Sequence, residues 1–358
     1  MSAANVGVLG IGAFLPETIR TNDWWPKETV ARWSAKALDS KERAAPSANV
    51  SAGMKLALDA MAEVADDPFQ GSVERRVMAE DMMPSDMEAA ACKEALSRAN
   101  VAPGDIDFIL TSSWVPDHLS VPNACTVHRK LGLRERCFST QLDAACNGFL
   151  LAMELAQLMV ASGRGKLGLL VQSSAATRLL PQDEPYSAWS GDGATAVVVG
   201  PAGPGRGMLG RAHRTNGNLD GALVMGVPGK QWYDEGRSYW YLKDRAAAFQ
   251  MLASAADNAK VVVDEALAEA ALSPEAVDFF AGHQSTRWFR RVLQEHTGLT
   301  RARFVDTFSW AGSLMSCNLP LILYVAQKEG LLREDDVVAM HTGGSGITFS
   351  GMVLRWGR

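Results

Sequence analysis

The sequence predicts an α/β protein made of two similar halves that pack against each other. The main observation is an internal repeat: residues 94–108 read as a helix, a proline turn and an apolar strand, and residues 265–279 read the same way. Each copy then leads through a second apolar segment to another helix and ends in a further apolar strand. Strands that alternate with helices in this order are typical of parallel sheets, whose loops meet at one crevice.

The repeat assigns the elements of each half in order. In the first half we expect, in turn, a strand near Cys137 and Phe138, a helix over 149–159 behind Cys146, and a strand over 167–171. In the second half we expect, in turn, a strand at Phe304 and Val305, a helix starting near Ser313, and a strand over 336–340. We therefore divide the chain into an N-terminal half, 1–200, and a C-terminal half, 201–358.

Composition and charge argue against several classes of protein. The net charge of −5 is small, which argues against a nucleic-acid partner. The five cysteines have no CxxC spacing, which argues against a disulfide framework and a metal site of the zinc type. The N-terminus lacks a basic segment before an apolar run, and no apolar run approaches about 18 residues. We therefore expect a cytoplasmic protein that is neither exported nor bound in a membrane.

Cys146 is the strongest candidate for a nucleophile. It stands among small residues where an apolar strand gives way to a helix, 149–159, that is apolar on nearly all sides. A helix N-terminus favours the thiolate form of cysteine and offers backbone N–H groups to an oxyanion. We therefore expect a lowered thiol pKa at Cys146. The alternative is a small buried core residue, which is the usual role of a free cysteine.

A histidine and a glycine-rich turn in the second half are candidate partners of Cys146. His283 follows a predicted strand, at the end where α/β proteins bind ligands. The turn over 342–346 follows the last strand, and its glycines let backbone N–H groups approach a ligand; an ordinary tight turn is the alternative. Gly10 and Gly12 lack the third glycine and the acidic residue of a dinucleotide site, so we do not expect NAD. The remaining histidines are expected to be structural: His118, His128, His213, His296 and His341.

Four motifs follow one another along nearly the whole chain. They are the nucleophile segment 143–149, the segment 190–194 before a valine-rich strand, the segment 282–284 and the C-terminal box 343–349. Their types and order resemble the 3-oxoacyl-ACP synthase III enzymes of the thiolase superfamily and their acyltransferase relatives in natural-product pathways. The resemblance implies a five-layered α/β/α/β/α thiolase fold with two pseudo-duplicated halves, and a homodimer.

The resemblance also implies a chemistry for these motifs. Acyl transfer would follow a ping-pong course through an acyl-Cys146 thioester, with His283 as base or as oxyanion donor. An oxyanion hole would come from the backbone N–H groups of Cys146 and Ser345, and Gly344 would contact the substrate. An acyl-CoA or acyl-ACP thioester would be the substrate, and no cofactor or metal is expected.

Ser313 marks a departure from the family. Members that condense with malonyl-ACP carry an asparagine directly after a glycine, where this chain has Gly312 and Ser313. A serine hydroxyl has one donor and the amide has two, and losing one well-aimed donor to an oxyanion costs on the order of 3 kcal/mol, about a hundredfold in rate. Asn318 is an alternative occupant of the site, but five residues of helix would rotate it away from the direction of Ser313. We prefer Ser313 as the third catalytic residue.

Two further segments leave alternatives open. Residues 26–76 are longer than the family's usual sequence, and a helix near 54–61 could be a lid over the substrate tunnel or a helix packed on the body. An aromatic run before a helix at about Lys243 could line an acceptor pocket or serve packing. Its members are Trp232, Tyr233, Tyr239, Trp240 and Tyr241.

Three arginines follow His283 at helical spacing and are expected to share one face beside the entrance of the site. They are Arg287, Arg290 and Arg291. Such a patch would suit an acidic carrier protein or CoA phosphates, and a solvated surface is the alternative. The sequence does not distinguish between CoA and ACP as the donor.

These features predict an acyltransferase of specialised metabolism that loads Cys146 and passes the acyl group to a pathway-specific small-molecule nucleophile. The first alternative is a decarboxylating starter ketosynthase that condenses acyl-CoA with malonyl-ACP and tolerates Ser313. A further alternative is a non-catalytic partner subunit of a ketosynthase heterodimer, against which the intact Cys146 and His283 argue.

Overall fold

The computed structural model describes residues 5–43 and 50–357, with side chains described up to residue 35 and again from residue 50. The strands in chain order are β1 (Val6–Phe14), β2 (Ile19–Thr21), β3 (Glu74–Arg76), β4 (Phe108–Trp114), β5 (Phe138–Gln141), β6 (Gly168–Ala175), β7 (Asp192–Pro201), β8 (Gly207–Thr215), β9 (Val224–Gly226), β10 (Tyr239–Tyr241), β11 (Phe279–Gly282), β12 (Val337–Gly344) and β13 (Thr348–Arg355). The α-helices in chain order are α1 (Lys27–Arg43), α2 (Ala52–Glu63), α3 (Pro84–Ala99), α4 (Asn123–Leu131), α5 (Gly148–Ala161), α6 (Arg245–Ala253), α7 (Ala255–Glu269), α8 (Phe289–His296), α9 (Phe308–Ala311) and α10 (Asn318–Lys328).

Two sheets of matching topology form the body. The first has the order β1-β7-β6-β4-β5, and the second, read from its opposite edge, has the order β8-β13-β12-β11. In the first sheet β4 pairs in parallel with β5 and β6, and in the second β11 pairs in parallel with β12, while the other pairs are antiparallel. The two sheets therefore repeat one arrangement, as the sequence repeat predicts.

The second half lacks a full counterpart of β5. The predicted strand at Phe304 and Val305 is wrong for this segment, because the only pairing described there is an isolated parallel bridge between Phe279 and Arg303. Phe304 is 41% exposed, so one side of this segment has no layer to pack against.

Helices fill the space between and outside the sheets. Helices α5 and α10 lie between them in one core with residues of both, which explains why α5 is apolar on nearly all sides. Its Phe149 and Leu150 are fully buried, and burial of each such side chain stabilises the fold by about 1.5–3 kcal/mol. Helix α3 covers the outer face of the first sheet and α7 that of the second. These layers confirm the predicted α/β/α/β/α thiolase fold.

The chain before α10 differs from the predicted helix starting near Ser313. Helix α9 ends at Ala311, Gly312 has φ 69°, and a short 3-10 turn over Met315–Cys317 leads to α10. A Cβ on Gly312 would lie 2.9 Å from the carbonyl oxygen of Trp189, so this position requires glycine both for its conformation and for space. Ser313 and Asn318 therefore do not lie on one regular helix.

The segment 26–76 contains α1 and α2, and its residues 44–49 lie outside the described part of the chain. Helix α2 packs on α7 and α8 through Ala57 and Ala60, both buried, and none of its residues lines the cavities described below. The structure thus favours the packed helix over the lid. In the described residues, no helix combines the length and apolar character needed to cross a membrane.

Candidate active site

Cys146 lies in a tight turn at the start of α5. The turn is a 3-10 helix over Ala145–Asn147, and Ala145 has the left-handed φ of 45° that is uncommon outside glycine. The Asn147 amide fixes the turn, because its Nδ2 donates to Ser350 Oγ at 2.8 Å and to the Thr348 carbonyl oxygen at 3.3 Å on β13. The second half of the molecule therefore holds the Cys146 turn of the first half in place.

The glycine-rich end of β12 lies directly against this turn. A Cβ on Gly344 would lie 2.5 Å from the Ala144 carbonyl oxygen, so only glycine fits there. Thr342 Oγ1 donates to the Cys146 carbonyl oxygen at 3.2 Å. The close approach that the sequence predicts for this turn thus occurs next to Cys146, and Ser345 lines the same cavity as the sulfur.

The Cys146 thiol differs from its predicted state. Desolvation raises its pKa to about 12, so the resting group is a protonated thiol. The expectation of a lowered pKa is wrong for the free protein, because apolar surroundings such as Met315, whose Sδ lies 3.9 Å from the sulfur, outweigh the helix N-terminus. The thiol proton must therefore leave during acylation.

His283 lies at the end of β11 and belongs to a buried hydrogen-bond network. Its backbone N–H donates to the His341 carbonyl oxygen at 2.9 Å, and its Nδ1 lies 3.0 Å from Asn318 Nδ2. Asn318 Nδ2 also donates to the Gln284 carbonyl oxygen at 3.2 Å, while Asn318 Oδ1 accepts from the Leu314 N–H at 2.9 Å. These last two contacts fix which end of the amide is the donor.

This network assigns the protonation of the His283 ring. Asn318 Nδ2 can only donate, so Nδ1 of His283 must accept and the ring proton lies on Nε2. Burial and the neighbouring His341 lower the pKa of His283 to about 3, so the ring is neutral at physiological pH. His283 is consequently a hydrogen-bond donor through Nε2, which favours the oxyanion role over the base role.

Ser313 lines the cavity and is held by backbone contacts. Its N–H donates to the Trp189 carbonyl oxygen at 2.6 Å, and its carbonyl oxygen accepts from the Gly191 N–H at 3.1 Å. Asn318 Nδ2 lies 3.3 Å from Ser313 Oγ. The predicted rotation of Asn318 away from Ser313 is wrong, because the break at Gly312 and the 3-10 turn bring the two side chains together, with Asn318 also in contact with His283.

One cavity of about 610 Å³ contains Cys146, His283, Ser313 and Ser345. Most of its wall is apolar, and the apolar and aromatic lining residues include Tyr186, Trp189, Leu223, Trp240, Leu242, Ala248, Phe249, Met251, Leu252, Ala255, Phe289, Met315, Ile347 and Phe349. Such a wall suits an acyl group or another apolar substrate part, with the few polar groups at the sulfur fixing the reacting carbonyl.

Known proteins of one family resemble this chain in sequence. The model described as 3-oxoacyl-acyl-carrier-protein (ACP) synthase III matches residues 141–217, and the model of the C-terminal part of the same enzyme matches residues 267–356. The beta-ketoacyl-acyl-carrier-protein synthase III of Bacillus pumilus is 27% identical over 358 residues, which cover 99% of this chain and 100% of the relative. These matches show that the chain is similar to the 3-oxoacyl-ACP synthase III family. The corresponding Geobacillus kaustophilus enzyme is also 27% identical and covers 98% of this chain and 99% of its own.

Solved structures share the fold of this synthase III-like protein. The 3-oxoacyl-acyl-carrier-protein synthase III of Thermus thermophilus has a TM-score of 0.77 and 26% identity and covers 98% of this chain and 99% of its own. The Aquifex aeolicus enzyme has a TM-score of 0.77 and 23% identity and covers 98% of this chain and 100% of its own. OleA of Xanthomonas campestris, in a structure with lauric acid and lauroyl-CoA, has a TM-score of 0.76 and 19% identity. It covers 99% of this chain and 100% of its own. These likenesses support an enzyme of the acyl-transfer and condensation class.

The three predicted carrier-binding arginines of the synthase III-like chain do not share one helix face. Helix α8 begins at Phe289, so the exposed Arg287 precedes it. Arg290 Nε donates to Asp306 Oδ1 at 2.7 Å, and Arg291 forms an ion pair with Glu63. None of these three described side chains lines either cavity, and their contact with a carrier stays a prediction.

A second cavity, of about 690 Å³, adjoins the first through Glu184, Tyr186, Leu242 and Arg245, which line both. Strand β10 separates the two, because its alternation turns Tyr239 and Tyr241 to the second cavity and Trp240 to the first. Trp240 packs edge-on against Trp114 and Tyr186, with ring centroids 4.8 and 5.9 Å apart. The aromatic run thus lines the pockets only in part: Trp232 and Tyr233 are exposed.

His341 is a cavity residue that the sequence reading assigned a structural role. It is 3% exposed, lies near the end of β12 and lines the first cavity together with Cys146. The other histidines line neither cavity; His128 contacts the Arg134 carbonyl oxygen and His296 pairs with Asp257. A signal was present in the sequence, since His341 directly precedes the glycine-rich box at the end of a strand.

Proposed function

We propose that this synthase III-like chain loads an acyl group from acyl-CoA or acyl-ACP onto Cys146 and transfers it to a pathway-specific small-molecule nucleophile of specialised metabolism, without decarboxylating malonyl-ACP. The sulfur attacks the thioester carbonyl, a C–S bond to Cys146 forms, the C–S bond to the donor breaks, and the thiol proton ends on the departing sulfur. The backbone N–H groups of Cys146 and Ser345 hold the oxyanion. No metal or cofactor takes part in these steps.

The observation that carries this proposal is the state of the Asn318 amide. One Nδ2 hydrogen is committed to the Gln284 carbonyl oxygen and the other to Nδ1 of His283, with Ser313 Oγ as a competing acceptor. Asn318 therefore has no donor left for the enolate that forms when malonyl-ACP loses CO₂. His283 Nε2–H and the Ser313 hydroxyl remain, which is one amide donor fewer than the family's condensing members present.

The second candidate function is decarboxylating condensation of acyl-CoA with malonyl-ACP. It is supported by the relatives at 27% identity, which are named beta-ketoacyl-acyl-carrier-protein synthase III. The Ser313 hydroxyl also lines the cavity beside His283 and is able to donate one hydrogen bond.

The Ser313→Asn variant separates the two candidates. Restoring an amide donor to the enolate is expected to raise CO₂ release from malonyl-ACP by about tenfold or more, provided that the larger side chain fits beside Asn318. Release of radiolabelled CO₂ by wild type and variant measures this directly. Ser285→Asn is the matched control, because Ser285 also lines the cavity. Fast release by the wild type would promote the condensing enzyme, and an equally slow rate in the variant would refute the role given to Ser313.

The donor and the assembly state belong to the same proposal. Arg245 lines both cavities and is better placed than the three arginines near α8 to meet the phosphates of CoA or a carrier's phosphopantetheine.

A homodimer is proposed from the family resemblance. It is supported by the exposed edge strand β5, whose Phe138 is 53% exposed.

A further inference from the structure

His341 presents a proton acceptor to the cavity. Its Nδ1 lies 3.0 Å from the Ser350 carbonyl oxygen, and because a carbonyl only accepts, Nδ1 carries the ring proton. The remaining nitrogen, Nε2, then has a free lone pair. Among the residues whose side chains are described, 5–35 and 50–357, no hydrogen-bond partner of this nitrogen is found, although the residue is 3% exposed and lines the cavity.

The two cavity histidines therefore have opposite tautomers. Asn318 forces the proton of His283 onto Nε2, whereas Ser350 holds the proton of His341 on Nδ1. Burial lowers the pKa of His341 to about 4, so this ring is neutral as well. One ring can donate a hydrogen bond to an oxyanion, and the other can accept a proton.

Position supports the use of this lone pair at the acyl group. The next residue along β12, Thr342, donates to the Cys146 carbonyl oxygen at 3.2 Å, and the His341 carbonyl oxygen accepts from the His283 N–H at 2.9 Å. The backbone of His341 thus contacts that of His283, and the adjoining Thr342 side chain contacts the Cys146 turn. Glu184 is another basic group on the cavity wall, but it lies where the two cavities meet and is only partly buried.

We infer that His341 is the general base for the acceptor and that the acceptor is a protic nucleophile, a hydroxyl or an amine. This inference rests on the proposed function and names the class of its second substrate. The acceptor's oxygen or nitrogen forms a bond to the acyl carbon while its proton passes to His341 Nε2. The C–S bond to Cys146 breaks, and the proton then passes from His341 to the sulfur, which restores both groups.

The chemistry of the acceptor explains why this lone pair matters. Condensation with malonyl-ACP makes its carbanion by losing CO₂ and needs hydrogen-bond donors, whereas a hydroxyl or amine must lose a proton as its new bond forms. A positioned base contributes typically about 10² to 10⁴ in rate to such a step. The committed Asn318 amide leaves this site short of donors, while His341 provides an acceptor ring.

The test uses acyl-Cys146 enzyme prepared with acyl-CoA, with water and hydroxylamine as probe acceptors. Water is a weak nucleophile and needs a base for its attack, whereas hydroxylamine, an α-effect nucleophile much stronger than an ordinary amine, attacks a thioester without one. In His341→Ala we expect hydrolysis of the acyl-enzyme to fall by about a hundredfold, cleavage by hydroxylamine to stay near the wild-type rate, and added imidazole to restore part of the hydrolysis. If the alanine variant does not fold, His341→Gln takes its place in the test, because glutamine keeps more of the side-chain volume.

Controls and contrary outcomes distinguish this inference from the proposed function. His213→Ala is the matched control, because His213 contacts Ser350 Oγ at 2.7 Å but does not line the cavity, and Glu184→Gln tests the other base. Hydrolysis at the wild-type rate in both His341 variants, or a loss only in Glu184→Gln, overturns the role of His341 alone. Equal loss of hydrolysis and hydroxylamine cleavage marks His341 as structural and overturns it too. A wild type that takes up no acyl group overturns the proposed function and this inference with it.

Discussion

Cys146→Ala is expected to abolish acyl loading, from one acyl group per chain to none. The substitution removes the sulfur without adding volume, and no other described cysteine lines the cavity. Cys92 and Cys317 are fully buried and do not line the cavity, so an acyl thioester cannot reach them. Intact-mass measurement after incubation with acyl-CoA reports the adduct, and peptide mapping locates it. A wild type without adduct would instead fit a non-catalytic partner subunit.

Cys125→Ala is the control for this experiment. Cys125 is exposed, so it is the described thiol most open to non-specific acylation by a thioester. The variant should load as the wild type does. An adduct that persists in Cys146→Ala and maps to a cavity peptide would refute Cys146 as the nucleophile.

His283→Ala is expected to load acyl groups measurably and then to retain them. The variant loses the Nε2–H donor to the oxyanion of the transfer step, which costs on the order of a hundredfold or more in rate. Loading survives in part because the backbone N–H groups of Cys146 and Ser345 remain. Single-turnover release of the acyl group from isolated acyl-enzyme measures the step.

His283→Asn checks that this effect is chemical. The ring of His283 is 5% exposed and packs edge-on against Phe289 with centroids 6.0 Å apart, so alanine leaves a gap that asparagine partly fills. An amide that reaches the oxyanion should recover part of the rate. Transfer at the wild-type rate in His283→Ala would mean that the ring has only a structural role.

The features that local sequence predicts are those that depend on few residues. The repeat predicts the two matched sheets, because a helix, a proline turn and an apolar strand are recognisable within about 15 residues. Cys146 among small residues before an apolar helix and His283 at a strand end follow from the same local reasoning. The structure brings both into one cavity with Ser313 and Ser345.

The features that sequence reasoning missed depend on distant parts of the chain. Asn318 reaches His283 because the chain breaks at Gly312, and the space there is limited by the carbonyl oxygen of Trp189, more than a hundred residues earlier. The pKa of Cys146 is raised because its surroundings desolvate the thiol. The short sequence around Cys146 shows the following helix but not these surroundings. His341 becomes a cavity residue only when its sheet is placed against the Cys146 turn.

The predicted shared helix face of the three arginines is wrong for a similar reason. Helical spacing predicts a shared face, but Arg290 turns to Asp306, with its guanidinium 3.6 Å from the centre of the Phe304 ring. Arg245, after the aromatic run, lines both cavities without any motif to mark it. Ion-pair partners and cavity walls are properties of the packed chain, so spacing alone does not identify them.

The fate of the acyl group in the wild-type enzyme distinguishes transfer to a protic acceptor from condensation with malonyl-ACP. Isolated acyl-Cys146 enzyme is mixed with malonyl-ACP carrying a radiolabelled free carboxylate, and released CO₂ and the mass of the carrier protein are followed together. We expect little labelled CO₂, no 3-oxoacyl-ACP, and an acyl group that leaves Cys146 only by hydrolysis, at the same rate with and without malonyl-ACP. Rapid CO₂ release with matching formation of 3-oxoacyl-ACP would contradict this expectation and identify a condensing enzyme.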